Sequence, residues 1–146
     1  MPAQFDSFGI RFLYPDNWSI AERAEEDGEN GATLDLPGGG FVSLELTDGG
    51  EVESMVDGIV AAIAADYEDL EREDIRREVL PQSTPVTDLR FYYLDLLIVS
   101  RLVVLDPPGQ PPGGDRLVVQ MQAESRDFDK NEPVFDAILK QIVDSD

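Results

Sequence analysis

The spacing of apolar residues changes along this chain of 146 residues, and the change restricts the folds open to it. Strands with one buried face place an apolar residue at every second position, and four stretches do so: Gly9–Tyr14, Ala32–Leu36, Phe41–Leu46 and Arg116–Glu124. Amphipathic helices repeat apolar residues every three to four positions, and two stretches do so: Val56–Leu70 and the segment from Pro133 to the end. The pattern predicts an α+β protein.

Turn-forming residues separate these stretches and indicate how the first strands connect. Pro15–Asn17 carries Pro, Asp and Asn, so Gly9–Tyr14 and Trp18–Ile20 are predicted to form a hairpin. Leu36–Gly40 predicts a second tight turn. Asp74–Leu80 fits either a helix or a strand, and a strand is the prediction there.

The most apolar segment, Thr87–Leu105, is predicted to be a central strand because both of its faces are apolar. At ~3.3 Å per residue it would be too long for a flat strand in a small domain, so a bend near Ser100–Arg101 is expected. The Pro- and Gly-rich segment Asp106–Asp115 predicts a loop that makes a long-tipped hairpin with Arg116–Glu124.

These elements predict one domain spanning residues 1–146, because the length suits a single core. The expected fold is a curved antiparallel sheet of about six to eight strands, with a central crossover helix and a C-terminal helix packed against it. The core is expected to contain Ile59, Ile63, Ile138 and Leu139.

Composition excludes much catalytic chemistry. The chain has no His and no Cys, so it cannot build a His-based triad, a thiol nucleophile, a disulfide or an ordinary zinc site. No enzymatic activity is expected, and no catalytic, cofactor-binding or metal-binding residue is assigned.

Charge indicates the kind of partner. Lys and Arg number 11 against 31 Asp and Glu, for a formal charge of −20, so phosphate backbones and anionic membranes should be repelled. The acids are concentrated in Glu22–Glu29 and Asp48–Asp74, which are either solvated faces that keep the protein soluble or a docking surface for a basic protein. The alternative is a small-ligand or divalent-cation binding protein. The opening Met1–Asp6 lacks signal-peptide features, so a cytoplasmic location is expected.

Two further features could bind ligands. Asp127, Asp129 and Asn131 have the spacing of a calcium loop, but Glu132 and Ile138 stand where that loop needs Gly and Glu. The alternative is capping of a helix that begins at Pro133. Asp95 lies in the apolar Thr87–Leu105 segment, where it could pair with Arg90 or Arg101, face solvent, or face a small pocket beside Tyr93.

Pro108 and Pro111 have the spacing that polyproline-binding domains recognise, but such spacing is common in loops, and a solvated hairpin tip is the prediction. The glycines of Leu36–Gly40 do not follow a phosphate-binding order, and a turn explains them.

The opening segment Phe8–Ile20, with Tyr14, Pro15 and Trp18, resembles the start of PsbP-like domains. That superfamily includes a photosystem II extrinsic subunit and a Ran-binding nuclear import factor. The resemblance implies a curved antiparallel sheet with helices on its faces, and a non-enzymatic interaction module without a cofactor. Trp18 is expected to fill a large space in the core.

Overall fold

The computed structural model describes residues 2–7, 9–21, 31–47, 52–67, 69–77, 80–81, 84–106 and 116–144. They contain two helices, α1 (Val52–Ala64) and α2 (Ser125–Val143). The strands are β1 (Ala3–Ser7), β2 (Ile10–Tyr14), β3 (Ser19–Ala21), β4 (Gly31–Asp35), β5 (Phe41–Thr47), β6 (Glu71–Ile75), β7 (Val86–Tyr93), β8 (Leu96–Leu105) and β9 (Arg116–Glu124).

Seven strands form one antiparallel sheet in the order β3-β4-β5-β9-β8-β7-β6, and β1 and β2 form a separate two-stranded sheet. The predicted α+β class, with an antiparallel sheet and a C-terminal helix, is therefore confirmed. The predicted β8–β9 hairpin is also confirmed. The tip of that hairpin, with Pro108 and Pro111, and the acidic stretch Glu22–Glu29 lie outside the described residues.

The larger core lies on the sheet face that α2 covers. The inward residues of β9 are fully or almost fully buried there, as their alternation predicted, and so are Ile138 and Leu139 of α2. Gln141 of α2 also holds β2, because its Oε1 accepts from the Leu13 amide at 2.8 Å and its Nε2 donates to the Leu13 carbonyl at 3.2 Å. Helix α2 therefore joins the two sheets.

The opposite face of the sheet carries α1 and a smaller core. Val56 is buried with Leu89, Leu102 and Val104, and Ile59 and Ile63 are only partly buried against this cluster. Helix α1 ends at Ala64, before Tyr67 and Leu70, although the helical spacing continues to Leu70. The two predicted helices thus bury their apolar faces to different extents.

The first hairpin differs from the prediction. Strand β2 pairs with β1, not with β3, and the Phe5 and Phe12 rings stack with centroids 4.8 Å apart. Pro15–Asn17 instead carries the chain from one sheet to the other. Strand β1 was missed because its alternation is short, with only Ala3 and Phe5 as apolar residues. Trp18 is buried in the core as expected, with its ring 6.1 Å from that of Phe135.

The turn between β4 and β5 agrees with the prediction. The Leu36 amide donates to the Gly40 carbonyl at 2.9 Å, and Gly39 has a φ of +97°. A side chain at Gly40 would come within 2.5 Å of the Gln122 carbonyl oxygen. Glycine is therefore required both for the left-handed backbone at Gly39 and for close packing against β9 at Gly40.

The long apolar segment is not one bent strand. It turns back at Leu94–Asp95, so β7 and β8 pair with each other, and Ser100 and Arg101 lie inside β8. The turn was not predicted because Asp95 is its one turn-favouring residue and stands alone among apolar neighbours, without Gly, Pro or Asn. Strand β6 overlaps the predicted strand Asp74–Leu80 only at Asp74 and Ile75.

Candidate interaction surface

The calcium-loop candidates lie within a helix. Helix α2 begins at Ser125, so Asp127, Asp129 and Asn131 occupy its first turns, and the Asn131 side chain donates to the Asp127 carbonyl at 2.9 Å. Helical geometry places Asp129 away from the face that holds Asp127 and Asn131. The three side chains therefore do not converge as they would in an extended calcium loop. Within the described ranges, no group of three acidic side chains could hold a metal ion.

The capping interpretation placed the helix start too late. Glu124 is the capping residue of α2, because its carboxylate accepts from the backbone amides of Arg126 at 3.0 Å and Asp127 at 3.4 Å. Desolvation alone would raise the pKa of Glu124. The amide hydrogen bonds and the nearby Arg126 guanidinium outweigh it, so the pKa is lower than usual. Pro133 lies inside α2 and does not mark its start.

Replacing Glu124 by Gln is expected to lower the melting temperature at neutral pH, because Gln keeps an oxygen acceptor but lacks the charge that favours a helix N-terminus. The folded-state pKa of Glu124 is lowered, so its charge stabilises the fold above the ordinary Glu pKa of about 4.3. That contribution is lost as the pH falls through the folded-state value. Melting curves of both proteins between pH 7 and about pH 3 should therefore converge at the acid end. A constant difference would contradict the assignment.

Asp95 does not lie inside an apolar strand. It is exposed in the β7–β8 turn, and the two arginines predicted as its partners bind other acids. Arg90 lies 3.3 Å from Glu73, and Arg101 pairs with Asp88. The predicted pairs are wrong because placing the turn at residues 94–95 moves Asp95 from a strand interior to its tip.

The buried acid of this segment is Asp88. It faces Arg101 across β7 and β8, and Arg101 donates two hydrogen bonds to its carboxylate, at 2.8 Å and 3.0 Å. Both residues are 3% exposed. Arg101 also lies 2.9 Å from the Glu132 carboxylate, and its guanidinium is 5.0 Å from the centre of the Phe128 ring. These contacts tie the sheet to α2.

Burial alone would lower the pKa of Arg101, but its hydrogen bonds and charge interactions with Asp88 and Glu132 raise the pKa above its usual value. Arg101 therefore remains a cation. Arg77 extends the network by binding Glu132 at 3.6 Å and Asp136. The paired charges are more suited to holding α2 on the sheet than to reacting with a substrate. Sequence reasoning missed Asp88 because it is opposite Arg101 only when the turn lies at residues 94–95.

Two cavities adjoin residues described above, one at β6 and β7 and one at the glycine turn near Asp127. An open groove of about 620 Å³ at one end of β6 and β7 is lined partly by Asp74, Arg76 and Thr87. Its polar lining is partly paired, because Thr87 donates to Asp74 at 2.9 Å. A smaller space of about 170 Å³ adjoins Gly38 and Asp127, and a side chain at Gly38 would collide with the Asp127 carboxylate. The fold thus brings the predicted glycine turn against the calcium-loop candidates.

Exposed carboxylates surround the β6 edge of the sheet. We call this set the acidic edge: Asp57, Asp66, Asp69, Glu71, Glu73 and Asp74. Arg72 and Arg90 lie among these acids and are already paired, Arg72 with Asp57 at 2.8 Å and Arg90 with Glu73, and Arg76 follows directly after β6. The Asp57 hydrogen bond is the main reason that the pKa of Arg72 is raised. The described part of the acidic stretch Asp48–Asp74 therefore presents a surplus of negative charge to solvent.

Beside the acidic edge, the β7–β8 hairpin ends in large apolar side chains that are exposed. We call them the apolar tip: Tyr92 (63% exposed), Tyr93 (53%), Leu94 (81%) and Leu96 (45%). Tyr93 contacts Tyr67, whose ring centre is 6.3 Å away, and Tyr67 packs on Phe91 at 4.4 Å. The base of the hairpin is thus anchored by aromatic rings, while its end is open to solvent.

The architecture defines a class of α+β protein in which a seven-stranded antiparallel sheet has helices on both faces. The chain is similar to the solution structure of cyanobacterial PsbP (CyanoP) from Synechocystis, with a TM-score of 0.60. The match covers 94% of this chain and 89% of that one at 12% sequence identity. A likeness at this identity shows the fold, so the PsbP-like fold implied by Phe8–Ile20 is supported.

The sequence comparisons add no family assignment. No protein-family model matches the chain, and no curated protein matches it. Neither of the helices in the described ranges is long and apolar enough to cross a membrane.

Proposed function

We propose that this chain is a non-enzymatic protein-interaction module that binds a basic partner protein through its acidic exterior. The observation that carries the proposal is the acidic edge, where six exposed carboxylates outnumber the neighbouring arginines, two of which, Arg72 and Arg90, are already paired. A partner with exposed Lys and Arg would supply the positive charge that this surface lacks.

The size of the charge surplus makes its field relevant to association. At a formal charge of −20, the chain should attract a basic surface over distances of about one Debye length, which is ~8 Å at physiological salt. Such attraction raises association rates and favours the correct partner over neutral ones. The same charge disfavours nucleic acid and anionic lipid as partners.

The chemistry of the buried groups also supports an interaction role. The chain lacks His and Cys, and the buried Asp88 and Arg101 are bound to each other. The resemblance to PsbP-like domains, which include a photosystem II extrinsic subunit and a Ran-binding factor, favours the same class of function. It assigns no contact residue.

The test compares two triple variants that carry the same net charge. Asp66→Asn, Asp69→Asn and Glu71→Gln remove three of the six charges of the acidic edge, whereas Asp35→Asn, Glu45→Gln and Asp129→Asn remove three exposed charges elsewhere. A partner is captured at low salt from an extract of the cells that make this protein. It is then identified, purified and titrated with the wild type and both variants.

The expected result is a one-to-one complex with a basic protein whose affinity falls about tenfold or more in the acidic-edge variant and much less in the control variant. The wild-type affinity should also fall as salt is raised, because salt screens the attraction. Equal affinities for the two variants, or no stoichiometric complex, would contradict the proposed function.

A further inference from the structure

The apolar tip is an unusual feature for so acidic a chain. Its four large apolar side chains lie at the end of one hairpin, with Tyr92 on one face of the ribbon and Tyr93 and Leu96 on the other, and Leu94, at 81%, is the most exposed of them. Single exposed apolar residues are common on proteins, but a cluster of them marks a site where another surface binds.

The strand register shows that the hairpin projects beyond its neighbours. Pairing of β6 with β7 stops at Arg90, and pairing of β9 with β8 stops at Ile98. Residues 91–97 therefore form a two-stranded ribbon beyond the β6 and β9 pairings. Neither α1 nor α2 covers its outer side chains, which remain exposed. A projecting ribbon can enter a cleft that a flat sheet face cannot reach.

The backbone of the turn is also unfavourable for its sequence. Leu94 has a φ of +56°, a left-handed conformation that favours glycine. Its side chain gains little from burial in the folded chain, because most of it is in solvent. Folding stability alone therefore gives no reason for a leucine at this position, whereas contact with a partner does.

Charged residues flank the ribbon and indicate what kind of surface it would meet. Asp95 lies in the turn itself, and Glu71 of the acidic edge is opposite Arg90, next to the start of the ribbon. On the other side Glu124 is opposite Ile98, and the nearby Arg126 is paired with Glu124 at 3.4 Å. The apolar side chains are thus bordered by an excess of carboxylates.

We propose that the apolar tip is the anchor of the interaction, inserted into an apolar cleft of the partner protein whose rim carries Lys and Arg. This inference rests on the proposed function and specifies its contact. A second copy of this chain would bring like charges together, and an anionic bilayer would repel the same acids. A basic rim around an apolar cleft complements both the tip and its border.

Photo-cross-linking tests where the contact lies. p-Benzoylphenylalanine is introduced in place of Tyr92 in the tip or, as the control, in place of Ile20 of β3. Ile20 is 51% exposed and lies in the strand at the opposite edge of the sheet. The inference expects a cross-link from position 92 to an apolar cleft with basic neighbours on the partner, and none from position 20. A cross-link only from position 20, to a second copy or to lipid, or none at all, would overturn it.

Leu94→Gly separates binding from folding. Glycine accepts the positive φ, so the melting temperature is expected to stay the same or rise. Affinity for the purified partner is expected to fall about tenfold or more, with the salt dependence unchanged, since no charge is altered. If Leu94→Gly bound the partner with wild-type affinity, the apolar tip would not be the anchor. The loss of affinity in the acidic-edge variant would still support the proposed function. If the control triple variant lost as much affinity as the acidic-edge variant, the proposed function itself would be contradicted.

Discussion

Replacing Arg101 by Met is expected to lower the free energy of unfolding by about 3–5 kcal/mol, because it leaves the Asp88 carboxylate buried without its cation. Asp88 receives two hydrogen bonds from Arg101, and both side chains are almost completely buried. The change would also remove the contact with Glu132 that ties β8 to α2. Urea unfolding followed by circular dichroism measures the loss.

An exposed ion pair provides the control. Arg72 lies 2.8 Å from Asp57, but the two side chains are 37% and 63% exposed, so Arg72→Met should cost less than about 1 kcal/mol. Combining Arg101→Met with Asp88→Leu should recover part of the lost stability, since no unpaired charge then remains buried. A loss in Arg101→Met no greater than that in Arg72→Met would show that the buried pair does not hold the fold.

Replacing Phe135 by Ala is expected to cost about 3–5 kcal/mol, because it removes a fully buried ring from the middle of the larger core. The Phe135 ring lies 6.1 Å from Trp18 and 5.2 Å from Phe128, measured between ring centres. Its loss would leave a space between α2 and the segment that joins the two sheets, so the cost should include a cavity as well as lost burial. The measurement is again urea unfolding, with near-ultraviolet circular dichroism reporting the packing of Trp18.

Ile138→Ala in α2 and Ile63→Ala in α1 compare the same substitution on the two faces of the sheet, and Ile138 is fully buried. Ile63 is only partly buried and belongs to the smaller cluster, so its loss should cost about 1–2 kcal/mol. Equal losses in the two variants would mean that α1 contributes as much to stability as α2. That result would contradict the unequal burial of the two helices.

The elements that were predicted correctly are those with long, regular apolar patterns. In β9, alternation identified both the bounds and the four inward residues, because the side chains of a strand point alternately to its two faces. The C-terminal helix was recognised from the same kind of argument, but its start was eight residues too late. The early turns of α2 carry mostly polar residues, and the cap is a Glu, which is not among the preferred capping residues.

The candidate sites were predicted less well, because each depended on which residues lie opposite one another. Asp95 was predicted to be the acid inside the apolar segment, whereas Asp95 is exposed and Asp88 is the buried acid. Asp127 and Asn131 were placed in a loop but lie on a helix, beside the glycine turn that the sequence treated separately.

The sequence by itself determined the α+β class, the acidic charge and the absence of His and Cys chemistry, since these follow from composition and from the period of apolar residues. Only the tertiary structure decided that β2 pairs with β1, that Asp88 meets Arg101, and that an apolar ribbon projects beside the acidic edge. The physical reason is that strand pairing depends on contacts between residues far apart in the chain. A turn whose one favourable residue is an isolated Asp, as in Leu94–Asp95, leaves little local trace of where those contacts begin.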